Sequence, residues 1–250
     1  MSLLEHCIIP DWPAPKNVHT LQTMRSGGCS AAHYNSLNLG DHVGDSPLAV
    51  SRNRMLLSAL LPSEPVWLKQ VHGTTVVNAA QAMCWPEADA CVSSRAGAVC
   101  VVMTADCLPV LLCDEQGSVV GAAHAGWRGL CDGVIEQTVR AMNASPQTLM
   151  AWLGPAIGPQ AFEVGEEVRA AFIAIHGEAT AAFTPYPLPF AGEGKKWHAD
   201  IYQLARLRLN ALGITRIYGG GLCTHTDSTR FFSYRRDGAT GRMGTFIWSE

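Results

Sequence analysis

The most constraining stretch runs from Ala98 to His124, AVCVVMT-ADC-LPVLLCD-EQG-SVVGAAH. Three apolar runs follow one another with only three residues in each gap, and each run has strand length and strand composition. The residues around DEQGS read as a hairpin turn. VWLKQV (66–71) and TTVV (74–77) read as further strands just upstream. Connections this short cannot hold crossover helices, so the sheet is expected to be antiparallel or mixed, not doubly wound.

Helical spacing predicts helices near 47–60 and over 129–142, 165–176 and 200–212. The last is the clearest: Ile201, Leu204, Ala205, Leu209 and Leu212 form a stripe, Asp200 with Gln203 resembles a capping box, and Gly213 supplies the stop. TRIYGGG (215–221), FFSYRRDG (231–238) and GRMGTFIW (241–248) return to strand patterns, and the Pro/Gly-rich 185–196 reads as a long surface loop. The expected class is α+β: a single domain over residues 1–250, with mixed β-sheets flanked by helices.

Composition removes several functions. A chain of 250 residues buries a large core without staples. A net charge of −3 offers no basic footprint for nucleic acid. No apolar run reaches the roughly 18–20 residues of a membrane span. The N-terminus lacks the basic region of a signal peptide. The nine cysteines are odd in number and none is spaced C-x-x-C, which argues against a zinc knuckle, a thioredoxin-type pair or a disulfide framework. Reduced thiols in the cytoplasm are the simpler expectation. The oligomeric state stays open, a monomer being compatible with everything above.

Chemistry concentrates where the apolar pattern breaks. His72 in KQVHG, Cys107 in TADCLP and His124 in GAAHAGWRG all lie at ends of apolar runs, where neighbouring strands bring side chains to one rim. One thiolate and two imidazoles suit Zn²⁺ with an open fourth position. The separations of 35 and 17 residues match no short motif, so spacing alone does not single out a metal. Cys91, Cys100 and Cys113 fit small buried hydrophobes, and His6, His19 and His176 fit core or surface groups. Asp106 reads either as a turn cap or as a carboxylate that orients an imidazole or accepts a proton.

LKQVHG, TADCLPVLL and AAHAGWRG resemble the signature segments of the YfiH-like family, also called the laccase-domain, polyphenol oxidase or peptidoglycan editing factor family. SLNLGDHVGD, GPAIGPQAFEVGEEV and FFSYRRDGATGRMGTFIW resemble further blocks, so the likeness spans essentially the whole chain. The resemblance implies zinc on His72, Cys107 and His124. It also implies phosphorolysis of adenosine, inosine and methylthioadenosine to free base and (methylthio)ribose 1-phosphate, with adenosine deamination. Copper-dependent phenol oxidation and editing of cell-wall precursors are linked to the family too. Cys29 and His33 depart from the expected pattern and take no role.

Site chemistry ranks these activities. A multicopper centre needs roughly ten histidines, usually in close pairs, beyond the general copper preferences. Nine histidines and no H-x-H argue against it, while Cu²⁺ at the zinc site stays open. Zinc–water chemistry suits deamination. Phosphorolysis needs cations or N–H groups around phosphate. Arg128 in GWRGL is the first candidate, then Arg25 and Arg235, while Trp127, Phe162 and Tyr234 are candidates to stack a purine. Two other classes compete. One is a cysteine hydrolase acting on cell-wall precursors, with Cys107 as nucleophile and Asp106 as orienter. The other is a non-enzymatic module with structural zinc, disfavoured because such sites are usually closed by four protein ligands.

Overall fold

The hairpin expected around Asp114–Ser118 is the centre of the fold. The computed structural model describes residues 2–82, 84–186 and 195–250. Its strands are β1 (Cys7–Ile8), β2 (Val18–Thr23), β3 (Val76–Asn78), β4 (Ala90–Ser93), β5 (Cys100–Thr104), β6 (Leu108–Asp114), β7 (Val120–Ala125), β8 (Leu149–Leu153), β9 (Glu163–Gly165), β10 (Phe183–Pro185), β11 (Lys196–Ala199), β12 (Arg216–Gly219) and β13 (Met243–Ser249). Its α-helices are α1 (Pro47–Leu57), α2 (Trp127–Asp132), α3 (Val134–Met142), α4 (Glu166–Ile175), α5 (Ile201–Ala211) and α6 (Tyr234–Asp237).

Among the described residues the strands form three sheets, ordered β12-β8-β6-β7-β4-β3, β1-β2-β13-β5 and β10-β11-β9. The first is mixed, because β12 runs parallel to β8 and β3 parallel to β4 while the other pairs are antiparallel. At the β6–β7 turn, Gly117 takes φ +68° and the Asp114 carboxylate accepts from the N–H of Ser118 at 2.7 Å.

Every residue of β6 is buried, because its two faces meet different layers. Leu108, Val110 and Leu112 pack with Leu130, Ile135 and Leu204 of the helices. Leu111 and Cys113 pack with Cys100, Val102 and Ile247 of the four-stranded sheet. The alternate residues of that second sheet, Val101, Met103 and Phe246, pack with Leu57 of α1. The α+β class and the mixed sheets with outer helices are as expected.

Between β5 and β6 the chain leaves one sheet for the other. The break at Ala105–Cys107 is that crossing, and Asp106 takes φ +96° within it.

Several elements differ from expectation. Residues 66–71 form isolated bridges, Val66 with Cys100 and Lys69 with Glu87, not a strand. Of 74–77 only the end enters β3. The helix expected over 129–142 is two helices, divided at Gly133, whose φ of +100° no continuous helix tolerates. FFSYRRDG carries α6, capped by Ser233 accepting from the N–H of Arg236; Phe231 and Phe232 are buried for tertiary reasons, not as strand residues. Asp200 caps α5 by accepting from the N–H of Gln203 at 3.0 Å. The expected loop at 185–196 falls largely on residues 187–194, which lie outside the described residues.

Candidate metal centre

The three residues singled out by their positions at strand ends do converge. A ligand atom from each of His72, Cys107 and His124 lies within 4.8 Å of the others, the one such grouping among the described residues. Cys107 Sγ is 3.7 Å from His72 Nε2, and the imidazole centroids of His72 and His124 are 4.8 Å apart. Cys107 enters from the sheet crossing, one residue before β6. His124 lies in β7, opposite Pro109 of β6. His72 reaches the rim from a turn at φ +62°.

That turn is held by two side chains. Gln70 donates to the carbonyl of Met103 at 2.8 Å and accepts from its N–H at 2.7 Å, tying the segment to β5. Asp89 is fully buried and accepts from the N–H groups of Val71, His72 and Gly73 at 3.2, 2.9 and 2.7 Å. The same carboxylate lies 2.8 Å from His124 Nδ1. It therefore accepts from Nδ1–H, so that Nε2 is the nitrogen a metal would take on displacing its proton, an arrangement typical of metal-ligating histidines. Glycine at 126 allows the approach: a Cβ there would lie 2.9 Å from His72 Cδ2 and 3.0 Å from Cys107 Sγ.

The electrostatics match. Burial alone would raise the Cys107 thiol, but the imidazoles of His124 and His72 outweigh it and bring it to about 6. Burial opposes the His124 imidazolium, yet Cys107 and the Asp89 carboxylate raise it to about 9. Burial also penalises the Asp89 carboxylate, and the bonds from His124, Gly73 and Val71 bring it below the usual range. A thiolate beside a carboxylate-backed imidazole is a donor set for a borderline cation such as zinc or copper.

The triad lines a cavity of about 540 Å³, within the size range of small-molecule sites. Arg128, Arg235, Trp127, Phe162 and Tyr234, expected from sequence as substrate contacts, all lie in its wall. Arg128 sits 4.6 Å over the ring of Trp127. Arg25 is elsewhere, bonded to the carbonyls of Asn35 and Ser228. Asp106 lines the cavity, accepting from Thr224 Oγ1 at 2.6 Å and from the N–H of Arg235 at 2.7 Å. The imidazole-orienting contact considered for Asp106 is made at His124 by Asp89. His6 bonds Ser26 and His19 stacks on Trp248, both away from the triad.

Sequence reasoning passed over Asp89, Gln70 and Arg242. Asp89 carried a usable signal, an acid at the mouth of the apolar run ACV, the same placement that drew attention to Asp106.

Comparison with known proteins fits this geometry. Residues 19–250 match the model of the family described as multi-copper polyphenol oxidoreductase laccase. The purine nucleoside phosphorylase YfiH of Escherichia coli K12 is 54% identical over 244 residues, which cover 96% of this chain and 98% of that protein. The purine nucleoside phosphorylase PA4543 of Pseudomonas aeruginosa is 53% identical over 241 residues, 96% of this chain and 97% of the relative. The crystal structure of Neisseria meningitidis protein NMB0706 superposes with a TM-score of 0.91 at 52% identity, covering 98% of this chain and 99% of the other.

Proposed function

The chain belongs to the family described as multi-copper polyphenol oxidoreductase laccase, and on that footing we propose that it is a zinc-dependent purine nucleoside phosphorylase with adenosine deaminase activity. Its substrates are adenosine, inosine and methylthioadenosine, and its products are free base and (methylthio)ribose 1-phosphate. A cytoplasmic setting belongs to the same reading and is supported by nine free cysteines. The relatives named purine nucleoside phosphorylase support the activity. The observation that carries it is a metal-type triad sharing one cavity with three arginines and three aromatic rings.

His72, Cys107 and His124 would hold zinc, which when bound supplies a Lewis acid at the cavity wall. Asp89 keeps the His124 ring aligned. Trp127, Phe162 and Tyr234 offer faces for a purine and exclude water around it. Arg128 reaches the cavity from the first turn of α2 and contacts the phosphate oxyanion. Asp106, held between Thr224 and the start of α6, fixes the wall between the triad and Arg235. The family description speaks of several coppers. Nine histidines and a single three-ligand grouping among the described residues favour one metal per chain, at which Cu²⁺ remains a competitor.

The lowered thiol favours one second reading, a hydrolase of peptidoglycan precursors with Cys107 as nucleophile. One chromatographic assay separates the two. Metal-replete protein incubated with adenosine is expected to release adenine only when phosphate is present, and some inosine in either case. Phosphate-independent silence toward nucleosides, with cleavage of a muropeptide by the same preparation, would establish the hydrolase instead. Arg128→Ala should slow phosphorolysis by about 30- to 1000-fold, on the order of 2–4 kcal/mol, and deamination less. Equal losses in both reactions would remove Arg128 from the phosphate contact.

A further inference from the structure

Six arginines outside the cavity pair with carboxylates, whereas Arg25 and Arg206 bond backbone carbonyls and Arg140 bonds Gln137. Arg54 pairs with Asp41, Arg169 with Glu166, Arg208 with Glu136, Arg216 with Glu115, Arg230 with Asp227 and Arg236 with Asp237. Among the described residues the cavity arginines have no such ion pair. Arg128 stacks on Trp127, and Arg235 donates through Nη1 alone to the carbonyl of Glu163. Arg242 is different. It immediately precedes β13 of the four-stranded sheet, whereas His124 lies in the six-stranded sheet, Cys107 at the crossing between the two and His72 in a turn.

Only Nη1 of Arg242 is engaged, donating to the carbonyls of Thr240 and Gly241 at 3.0 and 3.1 Å. Nε and Nη2 have no acceptor among the described residues, and the side chain lines the cavity. Gly40 lets it lie there, since a Cβ at that position would be 2.7 Å from Arg242 Cγ. The guanidinium sits 5.9 Å over the ring of Tyr234. Burial lowers its pKa, and the charges of Cys107 and Asp106 act in the opposite sense, which is the mark of a cation close to the triad. Asp106 does not satisfy it: its carboxylate accepts from Thr224 and the N–H of Arg235, and no hydrogen bond or ion pair joins it to Arg242 among the described residues. A half-buried guanidinium with one edge held and the other edge turned to a cavity is built to receive an oxyanion.

We propose that Arg242 is a phosphate-binding residue of this cavity, gripping inorganic phosphate through Nε and Nη2 from the start of β13. The assignment rests on the phosphorylase reading for its substrate and adds a contact to that of Arg128. Phosphate is then held where the two sheets meet, with His124 contributed by one sheet and the guanidinium by the start of β13 in the other.

Titration calorimetry with inorganic phosphate tests this on metal-loaded protein. Arg242→Gln is expected to weaken phosphate binding by about 10- to 100-fold with zinc content unchanged. Arg242→Lys should fall between, keeping the charge and losing the fork. In steady-state assays the KM for phosphate should rise in Arg242→Gln while the KM for nucleoside holds. A residue that merely braces the 240–242 turn would move stability and leave the phosphate terms alone. If the Gln variant fails to fold, phenylglyoxal labelling of the wild type decides: phosphate should protect Arg242, as read by peptide mass spectrometry. Unchanged phosphate binding in Arg242→Gln, an unprotected Arg242, or no phosphate binding by zinc-replete wild type would each overturn the proposal. Loss of phosphate binding in the variant without any phosphorolysis by the wild type would keep the subsite and remove the reaction. Phosphorolysis with unaltered phosphate KM in the variant would keep the reaction and remove the subsite.

Discussion

Cys107 and Cys113 stand at the two ends of β6 and have opposite character. Cys107 precedes the strand, half-buried where the sheets meet, and is brought down to about 6. Cys113 is fully buried inside the strand, where burial first and the neighbouring Asp114 second push it up to about 12. Local hydropathy already sets them apart, one at a break in the apolar pattern and the other inside a run. What separates them chemically is the partner set: two imidazoles at one end, apolar side chains of the second sheet at the other. A thiol becomes a ligand or a filler according to the partners that the fold brings to it.

The comparison can be broken most sharply by alkylation of metal-free protein. At pH 7 the thiolate fractions implied by values near 6 and 12 differ by about 10⁵, so iodoacetamide should label Cys107 and leave Cys113 untouched. The depressed pKa means that the Cys107 thiolate persists above pH 6 and is lost as pH falls through it. Labelling should therefore slow about tenfold between pH 7 and pH 5, and zinc should suppress it at every pH. Mass spectrometry of the two peptides measures all of this, and equal labelling would end the contrast.

Metal content comes next. Cys107→Ala should reduce zinc from about one per chain to background by elemental analysis, whereas Cys113→Ala should retain it. Asp89→Asn should weaken zinc by about 10- to 100-fold in chelator competition, because it loses the charge behind the His124 ring. Asp106→Asn should lower turnover while most zinc remains; loss of both together would make Asp106 part of the metal site. The smallest effect is expected for Cys113→Ala on stability, about 1 kcal/mol by denaturant titration. A much larger cost would mean that the thiol is a polar structural group and not a filler.

The same distinction explains what could be read without coordinates. β6, β7 and their turn were legible because apolar runs of strand length bracket turn chemistry at Asp114–Ser118. α5 was legible from its stripe and its Asp200 cap. His72, Cys107 and His124 were legible as candidates because each ends an apolar run, and the family likeness selected them as a set. Residues 66–71 misled because burial of Trp67 and Leu68 imitates a strand, while the backbone pairing is mostly replaced by the Gln70 carboxamide. FFSYRRDG misled because Ser233 and the Asp106 carboxylate, which accepts from Arg235, stabilise a helical turn from outside the segment. Asp89 carried a local signal, an acid at the mouth of an apolar run, but its partners, three N–H groups and an imidazole, come from distant segments. Long-range pairing decided each of these.

The Gln70 clamp reaches beyond the metal centre. β5 is an outer strand of its sheet, paired through the ladder with β13 alone. An outer strand offers bare N–H and C=O groups to any other chain that collides with it. Here the Val66–Cys100 bridge covers one part of that margin, and the carboxamide of Gln70 occupies the donor and acceptor of Met103. One amide group therefore serves as a false strand. It shields the margin from intermolecular recruitment and at the same time sets the height at which His72 meets the rim. Solubility under crowding and occupancy of the metal site are thereby linked through a residue that has no chemistry of its own.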